Sequence, residues 1–174
     1  IRRFVARISD TRLQGFARDH GDWAASRRWF SRKRPPRIGF LAAGDELTAS
    51  SRMRVHAVAR ALAEQDVPTQ LDYTPGLDVL IVQKRLSDER LAIAQPAKAD
   101  GCLLVYDVDD LGEALWYWTT PSLLEQILSN ADLVVTATEE QREQLRVLHN
   151  TEPIAVVPCP IDYLRIAPGP AQVR

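Results

Sequence analysis

From Arg37 onward six short apolar runs recur, at 38–42, 69–73, 79–82, 103–106, 133–136 and 154–157, with amphipathic stretches between most of them. No other feature restricts the fold as tightly. Each run is nearly continuous in apolar character, a pattern that suits strands covered on both faces. Strands that alternate with helices build parallel sheets through crossover connections. The pattern therefore predicts an α/β domain with a doubly wound, Rossmann-like parallel sheet. Met53, Val55, Val58, Ala59 and Leu62 line one face of a helix over about 51–64. Leu91 and Ile93 mark a second helix that Pro96 is expected to end. Leu123, Leu124 and Ile127 mark a third, and Leu145 and Leu148 a fourth after Thr138-Glu139-Glu140.

The 174 residues have room for one domain and a small appendage, and 45% hydrophobic content is enough for an ordinary core. Cys102 and Cys159 stand too far apart for a paired metal knuckle and are too few for a disulfide framework. No run approaches the roughly 18 apolar residues of a membrane span, and none has the layout of a secretory signal. The expected location is cytoplasmic. The first residue is Ile1, which reads as a processed chain or an excised piece.

A net charge of −1 hides two segments of opposite sign. Residues 1–37 carry eleven Lys/Arg against three acids, and residues 38–174 eleven against twenty. They join at Arg34-Pro35-Pro36-Arg37, where two prolines interrupt helix. The expected division is a basic amphipathic helical arm (1–36), the Rossmann-like body (37–163) and a linker or tail (164–174). In the arm, Ile1, Phe4, Val5, Ile8, Leu13, Phe16 and Ala17 recur at helical steps, and a second helix from Trp23 to Phe30 has Asp22 as its cap. Residues 1–34 fit packing on the acidic body or docking on an anionic membrane at the inner membrane face. Nucleic acid is not expected, because no recognised motif accompanies the charge.

A doubly wound sheet binds ligands beyond the carboxyl ends of its strands, where the strand order reverses. With the order 3-2-1-4-5-6, the loops meeting there are 44–52 and 107–112. The usual dinucleotide fingerprint is missing, since only Gly44 follows the first strand. No Walker loop, G-x-S-x-G elbow or H-E-x-x-H is present. Ser50 or Ser51 is expected to cap the first body helix. Arg52 and Arg54 follow in its first turn, against the helix dipole. That misfit suits an anionic ligand such as a phosphate, or pairing with Asp45, Glu46 or the Asp cluster.

Asp107, Asp109 and Asp110 crowd three carboxylates that need a raised pKa, a cation or a nearby Arg. They read as a general base for a hydroxyl, a divalent metal site, or turn chemistry. Of the consecutive Trp116, Tyr117 and Trp118, at least one should be exposed, for a sugar ring, a membrane interface or a lid. Lys84 is a crevice residue or a solvated one. Cys159 reads as a buried, inert thiol. His56 with Arg52 and Arg60 reads as a solvated helix stripe.

Taken in order, certain segments carry a resemblance. They are Arg37-Ile38-Gly39-Phe40-Leu41, Ala49-Ser50-Ser51-Arg52-Met53-Arg54 with Ala59-Arg60-Ala61-Leu62, and Asp78-Val79-Leu80-Ile81-Val82-Gln83-Lys84. Val105-Tyr106-Asp107-Val108-Asp109-Asp110, Ala131-Asp132-Leu133-Val134-Val135-Thr136-Ala137-Thr138 and Val156-Val157-Pro158-Cys159-Pro160-Ile161-Asp162 complete the set. Over residues 37–163 it resembles the N-terminal, acceptor-side domain of GT-B fold glycosyltransferases, of the family-4-like group in bacterial surface-polysaccharide synthesis.

The resemblance implies two Rossmann-like domains across a cleft, the second holding a nucleotide-sugar donor. It implies that the Ser51-Arg52 turn faces the donor phosphates. It puts Asp109 and Asp110 where relatives carry a catalytic or acceptor-orienting residue, often His, and Cys159 where Asn is usual. Asp109 and Asp110 are the candidate catalytic residues. Thr48, Ser51, Arg52, Arg54, Lys84, Asp107, Trp116 and Thr138 are the substrate-binding candidates.

No metal or resident cofactor is expected. The E-x7-E signature of the donor domain is absent, so this chain alone is expected to be inactive. The expected partners are a donor domain in the same or another chain and a glycan or lipid-linked acceptor. The competing expectation is a non-catalytic Rossmann-like module that binds a protein, glycan or membrane. A metal-using GT-A enzyme with Asp107-Val108-Asp109 as its D-x-D is rejected, because regular strand–helix alternation surrounds the motif. An acceptor domain should present Arg52, Arg54 and the Asp cluster to solvent, whereas a binding module should pair them with one another.

Overall fold

The computed structural model describes residues 34–149 and 153–158. From Pro36 these residues belong to one compact unit. The two arm helices, Cys159 and the tail 164–174 lie outside the described residues. Six strands form one sheet: β1 (Ile38–Leu41), β2 (Thr69–Gln70), β3 (Val79–Gln83), β4 (Leu103–Asp107), β5 (Leu133–Thr136) and β6 (Ile154–Val156). Every neighbouring pair is parallel. The α/β, Rossmann-like arrangement expected from the apolar runs is the one observed.

The strand order is 2-1-3-4-5-6 instead of 3-2-1-4-5-6. β3 lies between β1 and β4, with Leu41 opposite Val82 and Gln83 opposite Asp107. Composition explains the difference. Val79-Leu80-Ile81-Val82 is apolar on both faces and belongs inside the sheet. The run 69–73 contributes only Thr69 and Gln70 to pairing, both partly buried, which suits the outside. The reversal therefore falls between β1 and β3.

Two cores sandwich the sheet. Residues 49–63 (α1) are helical throughout, as Ala49–Ser51, a π-helical turn Arg52–His56, and Ala57–Ala63. Val55 and Ala59 of α1 pack on Phe40, with Ile38, Ala42 and Ile81 around them. On the other face, Leu91, Ala94 and Ala97 of α2 (Asp88–Ala99) join Leu124 and Ile127 of α3 (Pro121–Asn130) and Leu145 of α4 (Glu139–His149). These meet Leu41, Leu80, Val82, Leu104, Tyr106, Val134 and Ile154.

Pro96 does not end α2, which runs on to Ala99. The proline forgoes one backbone hydrogen bond, but Leu91, Ala94 and Ala97 stay in one buried stripe. Cys102 N bonds to the Ala97 carbonyl at 3.0 Å and closes the end. α4 begins with a reciprocal cap at Thr138: Gln141 N donates to Thr138 Oγ1 at 3.2 Å while Gln141 Oε1 accepts from Thr138 N at 3.1 Å. Among the described residues no helix is long and apolar enough to cross a membrane.

Candidate functional site

The β1–α1 loop is drawn tight by short-range hydrogen bonds. Asp45 Oδ1 accepts from Leu47 N at 3.0 Å and Thr48 N at 3.1 Å, an Asx-type turn. Thr48, not Ser50 or Ser51, is the N-cap of α1, and its side chain makes no capping hydrogen bond. Ser51 is fully buried inside the helix. Its hydroxyl accepts from Gly44 N at 2.9 Å and donates to Gln83 Oε1 at 2.8 Å. Gln83 Oε1 also accepts from Ala43 N at 2.9 Å. The end of β3 thus holds the loop leaving β1.

Gly44 is required by close approach. A Cβ there would overlap the Thr48 side chain, whose own Cβ would lie 2.9 Å away. Gly44→Val is expected to cost about 1–3 kcal/mol, read from the urea midpoint. Adding Thr48→Ala should return much of that loss by clearing the space; a double variant no more stable than Gly44→Val rules out this contact as the cause.

His56 is not solvated. Its side chain is 10% exposed, with Nε2 3.4 Å from the Gly44 carbonyl oxygen and Nδ1 3.9 Å from Glu46 Oε1. Arg60 Nη1 reaches the same Glu46 oxygen at 3.1 Å, and Arg52 Nη1 donates to the Glu46 carbonyl at 3.3 Å. The Arg52, His56 and Arg60 stripe grips Glu46, because the loop folds back over the helix.

The π-helical turn carries Arg54 inward. Its Nε donates to both Asp107 oxygens, at 3.1 and 2.9 Å, and Nη2 closes a second bond to Asp107 Oδ1. Nη1 donates to the Val157 carbonyl at 3.2 Å, so one buried side chain joins α1, the end of β4 and the chain leaving β6. Burial pushes the Asp107 carboxyl above the ordinary range, while the Arg54 guanidinium opposes that rise. The pairing expected of a binding module is therefore present at Arg54 and Asp107, and neither side chain opens to solvent.

The other two carboxylates meet a different cation. Lys84 Nζ lies 2.6 Å from Asp110 Oδ2, 3.3 Å from Asp109 Oδ1 and 4.8 Å from the centre of the Trp118 ring. Lys84 is buried, whereas Asp109 and Asp110 are partly exposed. The backbone around them is braced as well. Tyr106 donates its hydroxyl to the Lys84 carbonyl at 3.1 Å, and Gln141 Nε2 donates to the Asp109 carbonyl at 2.7 Å. Two cations thus answer three carboxylates beside the reversal point, leaving an excess of one negative charge. No group of three or more His, Cys, Asp or Glu among the described residues is arranged to hold a metal ion.

The remaining candidates lie around this centre. Thr138 is exposed and caps α4. Trp116 and Tyr117 are exposed on the 3₁₀ segment Gly112–Tyr117, while Trp118 packs against Lys84. Sequence reasoning missed Gln83, Gln141 and Arg90. Arg90 donates to the carbonyls of Leu41, Ala42 and Arg85 and so closes the end of β1, and burial lowers its pKa. The T-x-x-Q spacing of a capping box was a visible signal for Gln141. Gln83 and Arg90 act through tertiary contacts that no local pattern announces. No protein-family model, curated protein or solved structure matches the chain.

Proposed function

We propose that this chain is the acceptor-side half of a GT-B type glycosyltransferase, which moves a sugar from a nucleotide-sugar to a glycan or lipid-linked acceptor. The donor-side domain in this reading is supplied by the same or another chain, and the work is done at the cytoplasmic face of a membrane. One observation carries the reading. At the carboxyl edge of a parallel sheet, where such folds bind ligands, Asp109 and Asp110 are partly exposed and held by one buried lysine. A carboxylate fixed in that way can take the proton of an acceptor hydroxyl as it attacks the anomeric carbon and the nucleoside diphosphate leaves. Lys84, Arg54 and Asp107 position the two carboxylates and the loops. Arg52, Thr48 and Ser51 shape the neighbouring anion-facing loop.

The test is turnover by the full encoded polypeptide with a panel of nucleotide-sugars and membrane or glycan extracts as acceptor. Product formation is expected, falling about a hundredfold in either Asp109→Asn or Asp110→Asn. Absence of both nucleotide release and product, from the full polypeptide together with any chain that co-purifies with it, overturns the proposal. The second reading, a non-catalytic binding module, draws on the closed Arg54–Asp107 pair. It predicts ligand binding with no turnover in the same assay.

A further inference from the structure

A carboxylate that takes a proton has to be held in direction as well as in distance. The ion pairs of Lys84 with Asp109 and Asp110 supply the distance. An ammonium is a compact charge with rotatable donors, so it does not decide which way the two carboxylates face. The sheet does not decide it either. β4 pairs with β5 as far as Asp107, and Val108 N donates to the Val135 carbonyl at 2.8 Å. Beyond that rung the chain has left the ladder. The contact that steers it there comes from α4, where Gln141 Nε2 donates to the Asp109 carbonyl at 2.7 Å.

The other end of the same carboxamide fixes its orientation. Gln141 Oε1 accepts from Ala137 N at 2.9 Å and from Thr138 N at 3.1 Å. Two N–H donors can be met only by the oxygen, which leaves the nitrogen for the Asp109 carbonyl. One planar group thus ties the connection after β4 to the turn between β5 and α4. Capping α4 needs the oxygen alone. Gln141 is the third residue of α4, where glutamate caps equally well and suits the helix dipole better. Glu139 and Glu140 hold the two positions before it. What glutamine adds over glutamate at this position is a donor, and the donor goes to Asp109.

We infer that Gln141 is a positioning residue: it fixes the peptide plane between Asp109 and Asp110, and through it the direction in which both carboxylates face. That those carboxylates act on a hydroxyl rests on the transferase reading; the positioning itself does not.

Gln141→Glu tests it in the full chain at about pH 7, where a glutamate is ionised and has no proton to give. The variant keeps the capping oxygen and removes the donor. The readout is the NMR order parameter of the Asp110 N–H, which shares a peptide plane with the Asp109 carbonyl. It is expected near about 0.85, as in rigid backbone, and below about 0.6 in Gln141→Glu, with Tm and the order of α4 kept. Gln141→Met, similar in length and without either hydrogen-bonding end, lowers the Asp110 value too and stands in if the glutamate disturbs the cap. Thr138→Ala, which weakens the cap and leaves the donor, lowers Tm but not the Asp110 value. Where turnover is measured, kcat falls about tenfold in Gln141→Glu with KM unchanged. An Asp110 value unchanged in Gln141→Glu, one already low in the unaltered chain, or a uniform loss of order along α4 overturns the proposal, as does an active enzyme whose kcat the variant leaves alone. The order parameters need no turnover, so failure of the transferase reading and failure of this one are separable.

Discussion

Replacing Arg54 with Ala is expected to cost about 3–5 kcal/mol of folding stability, the usual range when one member of a buried ion pair is removed. The guanidinium makes three contacts to Asp107 and one to the Val157 carbonyl, all deep at the carboxyl edge. Without it a buried carboxyl already pushed upward by burial loses the charge that opposes the rise. In a chain of this size the loss amounts to a fall of roughly 10 °C in Tm. Urea unfolding measures it directly. Arg54→Met combined with Asp107→Leu should recover most of the loss, since both charges then leave together. If Arg54→Ala costs less than about 1 kcal/mol, the pair behaves as a solvated one and Arg54 is not a central brace.

Stability is expected to collapse in alkali. Burial lifts the Cys102 thiol from 9.0 to about 11, and burial also raises the Tyr106 hydroxyl. Both groups therefore stay protonated in the folded protein while their unfolded counterparts release protons. Folding then binds protons in that range, so stability is full below pH 9 and is lost as pH rises toward about 11. Cys102 alone contributes on the order of 2 kcal/mol to the fall. The urea midpoint followed across that range checks it. Cys102→Ala and Tyr106→Phe should each flatten the decline, whereas an unaltered slope in both variants assigns the alkaline loss to other groups.

The strands were readable because nothing but a sheet covered on both faces uses runs such as Val79-Leu80-Ile81-Val82 so consistently. Their order was less readable. Placing β3 inside and β2 outside depends on how far each run pairs, and Thr69 and Gln70 are all that β2 contributes. Local rules also misjudged Pro96, whose lost hydrogen bond is outweighed by buried packing on either side of it. At the site, the sequence singled out the charged residues and offered pairing with Glu46 or the Asp cluster as one alternative, but not which cation meets which acid. Arg54 reaches Asp107 across 53 positions through a π-helical turn that no periodicity indicates. His56 looked solvated because the loop that folds over it is invisible to a helical wheel.

The two outer strands decide how this domain can meet other proteins. β2 offers two paired residues and follows Pro68; β6 offers three and is bracketed by Pro153 and Pro158. Short margins punctuated by proline are poor templates for an incoming strand. Sheet-to-sheet polymerisation and β-augmentation by an extended peptide are therefore disfavoured at both margins. Among the described residues that leaves side-chain surfaces for association, a geometry in which a partner can be exchanged without unzipping the fold.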